Sequence, residues 1–371
     1  MKHILIVLLL LSYSGIYAQV LNNNSITLST DPRALALGEA VVADPDAYLS
    51  FRVNPALLAT ALGYQIVYNY RNLAWAENLK DRHCENVTVA GRSPVGNFAL
   101  GFTRNDYGKI GFCWVADNPA GYQCVDMDLY DYTVSLSLAR TVHKNLAIGI
   151  NLNMFDEVYH VAEDVDFDIK TERAFFTDLG FVYTITLNQG LEKKYQNIKD
   201  QFILGASLSN YGSEYKVKMS KTLAGYSSAL PRYLRVGFSY QLILQEELAD
   251  PLLKFLVTGE YKKYLNPDKY EKSRTDFYGF GFETVLFSLI AVRAGGILQP
   301  YTNIYARENE VALRFGLGLN LPFTRIGLEF PMCLQFNYGV IPVSAVGSFE
   351  ENQQGNLSTY NILLKYEKTL F

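Results

Sequence analysis

Residues 145–155 read NLAIGINLNMF, and their alternation decides the fold. Large apolar residues take every second position and small or polar residues take the others: Leu146, Ile148, Ile150, Leu152 and Met154 against Ala147, Gly149, Asn151 and Asn153. Because successive side chains of a strand point to opposite faces, this period predicts a strand with one apolar face and one small, polar face. The same period recurs in residues 129–139, 175–187 and 311–320.

Extending this pattern along the chain predicts fourteen strands. They cover residues 64–72, 84–92, 96–112, 127–141, 145–160, 171–187, 200–213, 230–245, 252–264, 274–286, 289–301, 308–320, 324–341 and 356–371. Short turns and long polar loops alternate between them, except for a longer charged link at 188–199. An even strand number with short turns on one side and long loops on the other is typical of membrane barrels.

The alternation leaves open whether the apolar face points into the barrel or out of it. Three features favour lipid on the apolar side. The strands run about 10 to 16 residues, which is enough to cross a bilayer at a tilt. The opposite face is rich in Gly, Ser, Thr and Asn, as suits a lumen, and the 27 Tyr and 22 Phe recur near strand ends. The sequence therefore predicts an all-β fold, a transmembrane antiparallel β-barrel.

The first residues have the pattern of an export signal. A short basic start is followed by an apolar run, Ile4 to Leu11, and by a small and polar region that ends at Ala18. This run is too short for a spanning helix and predicts a signal peptide, 1–18. We expect a plug or hatch segment at 19–61 and the barrel at 62–371. Export of a barrel predicts location in the bacterial outer membrane.

The composition and the motifs of the chain argue against several classes of function. The net charge of −4 argues against a nucleic-acid partner. The four His form no metal-like pair, and no nucleophile elbow, phosphate loop or paired-Cys zinc pattern occurs. We therefore expect neither an enzyme nor a cofactor.

Residues 20–61 have little strand character. Asp31 is a candidate N-cap and Pro32 a first-turn residue of a short helical segment that continues to Gly38. Because this segment precedes the barrel, we expect it to fold into the lumen as a plug; a surface extension is the alternative.

Charged residues on the predicted lumen face need partners or water. The main candidates for contacts with the plug are Arg235, Arg293, Arg314 and Asp178, and Glu283 shares their face. Packing of plug and barrel is the favoured interpretation, and contact with a ligand is the alternative.

Two loop features are candidates for disulfide and metal chemistry. Cys113 and Cys124 flank one predicted loop of an exported chain, where a disulfide is possible. Free thiols are the other interpretation. A later loop carries Asp164, Asp166 and Asp168, whose hard oxygen ligands suit Ca²⁺. Since their spacing lacks the Gly and closing Glu of an EF-hand, a solvated loop is the better interpretation.

Short motifs along the chain carry a family resemblance. The opening DPRALALGEA of residues 31–40, followed by Asn54-Pro55-Ala56, resembles that of the PorV/PorQ family of FadL-like outer-membrane barrels. LGASLSNYG at 204–212, LPRYLRVG at 230–237 and RAGG at 293–296 fit as well, whereas residues 46–52 depart from the usual opening.

The resemblance implies a FadL-like barrel of about fourteen strands with an N-terminal hatch, typical of Bacteroidota. It implies a partner-binding or scaffold role in a secretion or assembly machine such as type IX secretion, with outer-membrane lipid and outer-membrane or periplasmic proteins as partners. FadL-like channels for hydrophobic small molecules are the alternative. Aromatics dominate interface energetics, so the expected anchors are the loop tyrosines Tyr107, Tyr122, Tyr215, Tyr226 and Tyr301.

Overall fold

Fourteen antiparallel strands close into one barrel in the computed structural model of the chain. The first and last strands pair with each other, with Tyr64 opposite Tyr366, so the sheet has no free edge. The predicted fourteen-stranded transmembrane barrel is confirmed. The structure describes residues 29–47, 50–72, 82–115, 122–161, 169–187, 192–193, 196–219, 226–245, 251–266, 276–298, 311–342 and 357–366.

Each barrel strand pairs with its neighbours in sequence. The strands are β1 Tyr64–Asn72, β2 His83–Ser93, β3 Gly96–Val115, β4 Tyr122–His143, β5 Leu146–Val161, β6 Ala174–Thr186, β7 Gln196–Gly212, β8 Tyr233–Gln245, β9 Leu253–Tyr264, β10 Asp276–Leu286, β11 Ile290–Leu298, β12 Val311–Pro322, β13 Met332–Ile341 and β14 Leu357–Tyr366.

The outward face of the barrel is apolar. Large side chains that point away from the lumen remain exposed along every second position, as with Leu152, Phe181 and Leu317. Residues of the opposite register, such as Ser137 and Thr258, are buried in the lumen. Such a surface is stable only against lipid, and a closed barrel satisfies its backbone hydrogen bonds internally. The chain is therefore a membrane-spanning barrel of the bacterial outer membrane.

Tyrosines mark the long-loop end of the apolar surface. Tyr70 of β1 stacks on Tyr360 of β14 with ring centroids 5.1 Å apart, and Tyr261 of β9 lies 5.3 Å from Tyr278 of β10. Membrane barrels place such aromatic girdles at the depth of the lipid headgroups.

The long-loop side carries structure that the sequence pattern did not predict. Three short strands, 169–172, 214–219 and 226–229, form a separate antiparallel sheet, here called the rim sheet. Two of its strands lie within the predicted loop 214–229. Tyr215 and Val217 of its central strand are buried against Phe155 of β5. This apolar packing is what orders a segment whose composition is polar.

The last short-turn connection is also longer than predicted. The predicted strand 324–341 begins only at Met332, and a 3-10 helix, Phe323–Ile326, starts the loop before it. Gly327 follows with a left-handed φ of 84°, which ends the helix and breaks the strand register. We refer to residues 323–331 as the β12–β13 loop.

Residues 29–61, with 48–49 outside the described residues, lie inside the barrel and are here called the hatch. As predicted, Asp31 caps a short helix, α1 (Pro32–Ala36), by accepting a hydrogen bond from the Arg33 backbone N–H. A 3-10 helix, Pro55–Thr60, is capped in the same way by Asn54. Among the described helices, none is long and apolar enough to span a membrane.

Candidate functional site: the hatch and its seat in the barrel wall

The hatch follows the inner circumference of the barrel. Pro32 lies against β13, and Leu37 against β10. Val42 lies against β7 and β8, and Pro55 against β5. The hatch ends at β3, where Asn97 donates hydrogen bonds to the carbonyls of Leu58 and Ala61 over 2.8 and 3.0 Å. One chain segment therefore touches most of the wall before the chain enters β1.

Glycines in the wall make room for this path. They face each other in register on neighbouring strands: Gly149 and Gly180, Gly205 and Gly237, Gly281 and Gly295, Gly316 and Gly339. A methyl group on Gly205 would lie 2.1 Å from the Val42 carbonyl oxygen, and one on Gly149 would lie 2.4 Å from the Pro55 carbonyl carbon. Close approach of the two backbones therefore requires glycine at these positions.

A buried ion-pair network joins α1 to the wall, with Arg33 at its centre. Its guanidinium donates to both Glu283 carboxylate oxygens of β10 over 2.9 Å and also pairs with Asp44 of the hatch. Arg293 of β11 binds the same Glu283 carboxylate and donates to Asn337 over 2.9 Å. Buried charges are stable only when paired and hydrogen-bonded in this way.

A second wall carboxylate holds the hatch backbone. Glu260 of β9 accepts hydrogen bonds from the N–H groups of Val41 and Val42, over 3.0 and 2.9 Å. Its other oxygen accepts from Arg235 of β8 over 2.8 Å. Arg235 therefore contacts the hatch through Glu260.

Glu39 of the hatch, which has a left-handed φ of 58°, is held by cations from two strands. Arg314 of β12 lies 3.0 Å from its carboxylate and Lys262 of β9 lies 3.7 Å away. Burial alone would raise the pKa of Glu39, but Arg314 and Lys262 outweigh it and lower the pKa to about 2. Glu39 is thus ionised at neutral pH.

The hatch also meets the wall near the short-turn end of the barrel. Asp46 accepts a hydrogen bond from Gln241 of β8 over 2.9 Å and pairs with Lys254 of β9. Opposite charges near Asp46, first Lys254 and then Arg33, outweigh burial and lower the pKa of Asp46.

Asp178 of β6 organises a cluster of asparagine side chains. Its carboxylate accepts hydrogen bonds from Asn151 and Asn153 of β5, both over 2.9 Å, and from the Asn210 N–H over 2.7 Å. Asn151 also donates to the Phe51 carbonyl of the hatch over 2.8 Å. Asp178 therefore supports the hatch through Asn151.

Apolar side chains fill the space between these polar contacts. Leu37, Val41 and Leu57 of the hatch are fully buried and pack with wall residues such as Ile203 and Leu256. The described part of the lumen thus has an apolar core made mainly by the hatch.

A cavity of about 70 Å³ lies between the hatch and the wall, lined largely by polar residues. Three buried lining atoms have no hydrogen-bond partner among the described residues: Asn69 Oδ1, Ser209 Oγ and Arg235 Nε. Polar cavities of this size hold a few water molecules. At this volume the cavity is smaller than a hydrocarbon-sized ligand requires.

The predicted lumen residues lie in the lumen, whereas two of the tyrosines predicted to bind a partner protein through loops lie buried in strands. Arg235, Arg293, Arg314 and Asp178 all face the lumen, and Arg314 contacts the hatch directly. The expectation that Tyr107 is an exposed loop residue is wrong: it lies in β3, within the predicted strand 96–112, is buried and donates to Asp131 over 2.7 Å.

The other predicted partner-binding tyrosines that the structure describes lie at the long-loop rim of the barrel. Tyr215 is buried in the rim sheet by Phe155, so it is not an exposed loop residue either. Tyr122 begins β4 and Tyr226 begins the third strand of the rim sheet. Tyr301 lies outside the described residues, as do Asp164, Asp166 and Asp168. In the described part of the chain, no group of His, Cys, Asp or Glu is arranged to hold a metal.

The two candidate disulfide cysteines lie opposite each other. Cys113 of β3 and Cys124 of β4 are register partners near the ends of the two longest strands. Cys84 and Cys333 are buried.

The sequence analysis did not identify the hatch residues that form the ion pairs. Arg33, Glu39 and Asp44 are charged residues in a segment of otherwise small and apolar residues, and that contrast was the available signal. Glu260 shares the inward register of Thr258 and Leu256, so its lumen position followed from the same alternation.

Comparisons with known proteins give a likeness of fold. No protein-family model and no curated protein matches the chain. Similar solved structures include the CymD monoaromatic hydrocarbon channel, at 11% identity and a TM-score of 0.44, with 91% of this chain and 97% of that chain covered.

Two further barrels are similar to a comparable degree. The Pseudomonas putida toluene transporter TodX has 9% identity and a TM-score of 0.41, with 90% of this chain and 96% of that chain covered. A Pseudomonas aeruginosa FadL homologue has 10% identity and a TM-score of 0.41, with 91% and 98% covered.

Proposed function

We propose that this chain is a non-enzymatic outer-membrane barrel that is kept closed by its hatch and acts as a partner-binding or scaffold subunit of a secretion or assembly machine. The proposed role follows that of the PorV/PorQ family of type IX secretion, which the sequence resembles. The supporting observation is the hatch itself, whose Arg33, Glu39 and Asp46 form ion pairs with β9, β10 and β12.

Because the hatch fills the lumen, the surfaces available for contacts with other proteins lie at the rims of the barrel. Opening a passage would separate Arg33 from Glu283 and Glu39 from Arg314, so that each of these buried groups loses an ion-pair partner. Breaking one such pair typically costs about 3–5 kcal/mol. The cavity between the described parts of the hatch and the wall is small, at about 70 Å³. Contacts with other proteins do not require the hatch to move.

The rim sheet is the best candidate surface for such contacts. It stands on an apolar cluster around Phe155 and presents Lys216 and Lys218 on its solvent side, where both pair with Glu172. A rigid, ordered rim pays little conformational entropy when it binds a partner.

A channel for hydrophobic small molecules is the second candidate. CymD is a monoaromatic hydrocarbon channel and TodX is a toluene transporter. The hatch is held only by non-covalent contacts in the described residues, so displacement by a ligand or partner is physically possible. This function requires an apolar route that forms when the hatch moves.

One pair of measurements separates the two functions. The tagged full-length chain is extracted from its own membranes in mild detergent and analysed by native electrophoresis. A partner-binding subunit migrates as a larger complex that a rim variant, Lys216→Glu, dissociates, while Lys144→Glu in a turn on the opposite side does not. A chain that migrates alone in every case contradicts the proposal.

Uptake tests the channel directly. Cells with and without the chain are given labelled toluene or a labelled long-chain fatty acid across an intact outer membrane. Partner binding predicts equal uptake rates. Faster uptake by cells that carry the chain supports the channel and, with a monomeric native gel, replaces the first proposal.

A further inference from the structure

The β12–β13 loop exposes three large apolar side chains on the short-turn side of the barrel. Ile326 is 62% exposed, Leu328 44% and Phe330 62%. Short turns of membrane barrels usually face water and are polar, so three such residues within five positions need an explanation.

The loop has a defined conformation. Its 3-10 helix lies against β12 and β13, the two strands that it joins. Gly327 closes the helix, and the N–H groups of Leu328 and Met332 donate to the carbonyls of Phe323 and Phe330 over 3.0 and 2.8 Å. The apolar side chains are therefore held outward by backbone hydrogen bonds within the loop.

The loop continues the lipid-facing surface of β12. Phe315, Leu317 and Leu319 of this strand point outward and are exposed in the same register, one after another toward the loop. Twelve residues of β12 at the usual rise and tilt span about 30 Å, slightly more than the roughly 25 Å of a barrel's apolar band. The loop thus begins where the hydrocarbon gives way to headgroups.

The neighbouring turn contributes to the same surface. Phe287, with a left-handed φ of 53°, is 54% exposed in the turn between β10 and β11, and Ile290 after it is 49% exposed. Asn320 of β12 donates to the Ser288 carbonyl over 3.3 Å and to the Leu289 carbonyl through its backbone N–H over 2.7 Å, so this turn and β12 are joined. The apolar residues form one surface that extends past the strand ends.

We propose that the β12–β13 loop is a membrane-surface anchor that inserts Ile326, Leu328 and Phe330 into the phospholipid leaflet on the short-turn side. Continuity with the lipid-facing band favours phospholipid over a protein partner as the occupant. The flanking Arg325 and Glu329 are exposed and lie at a depth where charged groups reach the headgroups and water. Apolar and aromatic side chains at this depth fix how a barrel sits in the bilayer.

Depth-dependent quenching of tryptophan tests the anchor. In a background in which Trp75 and Trp114 are replaced by Phe, the substitution Phe330→Trp reports on the loop. Leu317→Trp in the middle of β12 is the lipid-exposed control, and Lys144→Trp in another turn on the same side is the water-exposed control. Each full-length variant is placed in phosphatidylethanolamine and phosphatidylglycerol vesicles, with brominated acyl chains or with iodide in the buffer.

The anchor predicts that brominated lipid quenches Phe330→Trp nearly as strongly as Leu317→Trp, with a blue-shifted emission and weak quenching by iodide. Strong iodide quenching like that of Lys144→Trp overturns the proposal, as does a fluorophore that neither quencher reaches. Ile326→Trp is a second reporter from the helical part of the loop, so a local disturbance at position 330 does not leave the outcome open.

Discussion

Arg33 in the hatch and Glu283 on β10, 250 positions apart, form a two-pronged ion pair. Arg33 Nε lies 2.9 Å from Glu283 Oε2, and Arg33 Nη2 lies 2.9 Å from Oε1. Both side chains are buried, with 10% and 2% of their surfaces exposed. Since Arg293 binds the same carboxylate, Glu283 is shared between the hatch and the barrel wall. Substitution of Glu283 should therefore weaken the attachment of the hatch to the barrel wall.

Replacing Glu283 by glutamine should destabilise the folded barrel. Glu283→Gln leaves Arg33 and Arg293 buried beside a neutral amide, and breaking a buried pair typically costs about 3–5 kcal/mol. The measurement is the temperature at which the detergent-folded barrel loses its compact band on an SDS gel. Glu172→Gln, which breaks an exposed ion pair of the rim sheet, should leave that temperature unchanged. Equal shifts in the two variants would contradict the role of Glu283.

A methyl group on Gly205 should dislodge the hatch without unfolding the strands. In Gly205→Ala the new carbon would lie 2.1 Å from the Val42 carbonyl oxygen, so the hatch backbone must shift, at a cost of about 1–3 kcal/mol. Trypsin should then cut after Arg33 and Arg52, which the wild type shields. Gly111→Ala is the matched control, because its nearest contact would be an ordinary 3.7 Å. Unchanged resistance of Gly205→Ala would mean that the hatch does not rest on this wall position.

Acid should loosen the hatch in a defined pH range. The ordinary pKa of Glu39 is 4.5 and the folded value is about 2, so its ion pairs with Arg314 and Lys262 stabilise the fold fully above pH 4.5. This contribution is lost as the pH falls from about 4.5 toward 2. Thermal unfolding of the wild type at pH 6 and pH 3 should therefore differ by more than that of Glu39→Gln. The same pH dependence in both proteins would exclude Glu39 as its source.

Cys113 and Cys124 should form a disulfide in the exported protein. They are direct register partners on β3 and β4, and disulfides persist in oxidising compartments. Alkylation of the unfolded, purified protein should label these two cysteines only after reduction. Cys84 and Cys333, which lie buried on other strands, should react without reduction and serve as the internal control. Labelling of all four before reduction would refute the disulfide.

The barrel was predictable because its physical signal is local. Alternation of the kind seen from Leu146 to Met154 assigns each residue to a face, and fourteen such segments follow from repetition. The start of β13 was not predictable in this way. Leu328 and Phe330 continue the alternation of a strand, but the left-handed Gly327 takes them into a loop.

Local sequence patterns did not predict the contacts between the hatch and the wall. Asp31 and Pro32 indicated the short helix, because capping depends on neighbours in sequence. The pairing of Arg33 with Glu283 depends on how far the hatch extends along the inner wall of the barrel. No local sequence periodicity encodes that distance. Tyr215 was placed in a loop for a related reason: its buried partner Phe155 holds it in a strand that the polar composition concealed. Tyr107 was expected to be a loop anchor although it lies within the predicted strand 96–112, and its hydrogen bond to the buried Asp131 could not be predicted from local pattern.

Hydrogen–deuterium exchange of the hatch in lipid nanodiscs is the most direct measurement. Its N–H groups are bonded within the hatch, as from Leu35 to Asp31, or to the wall, as from Val41 to Glu260, and packing in the lumen shields them from water. Peptides that cover residues 31–61 should therefore exchange as slowly as peptides of β5. Rapid exchange of these peptides beside protected strands would show that the hatch does not close the barrel.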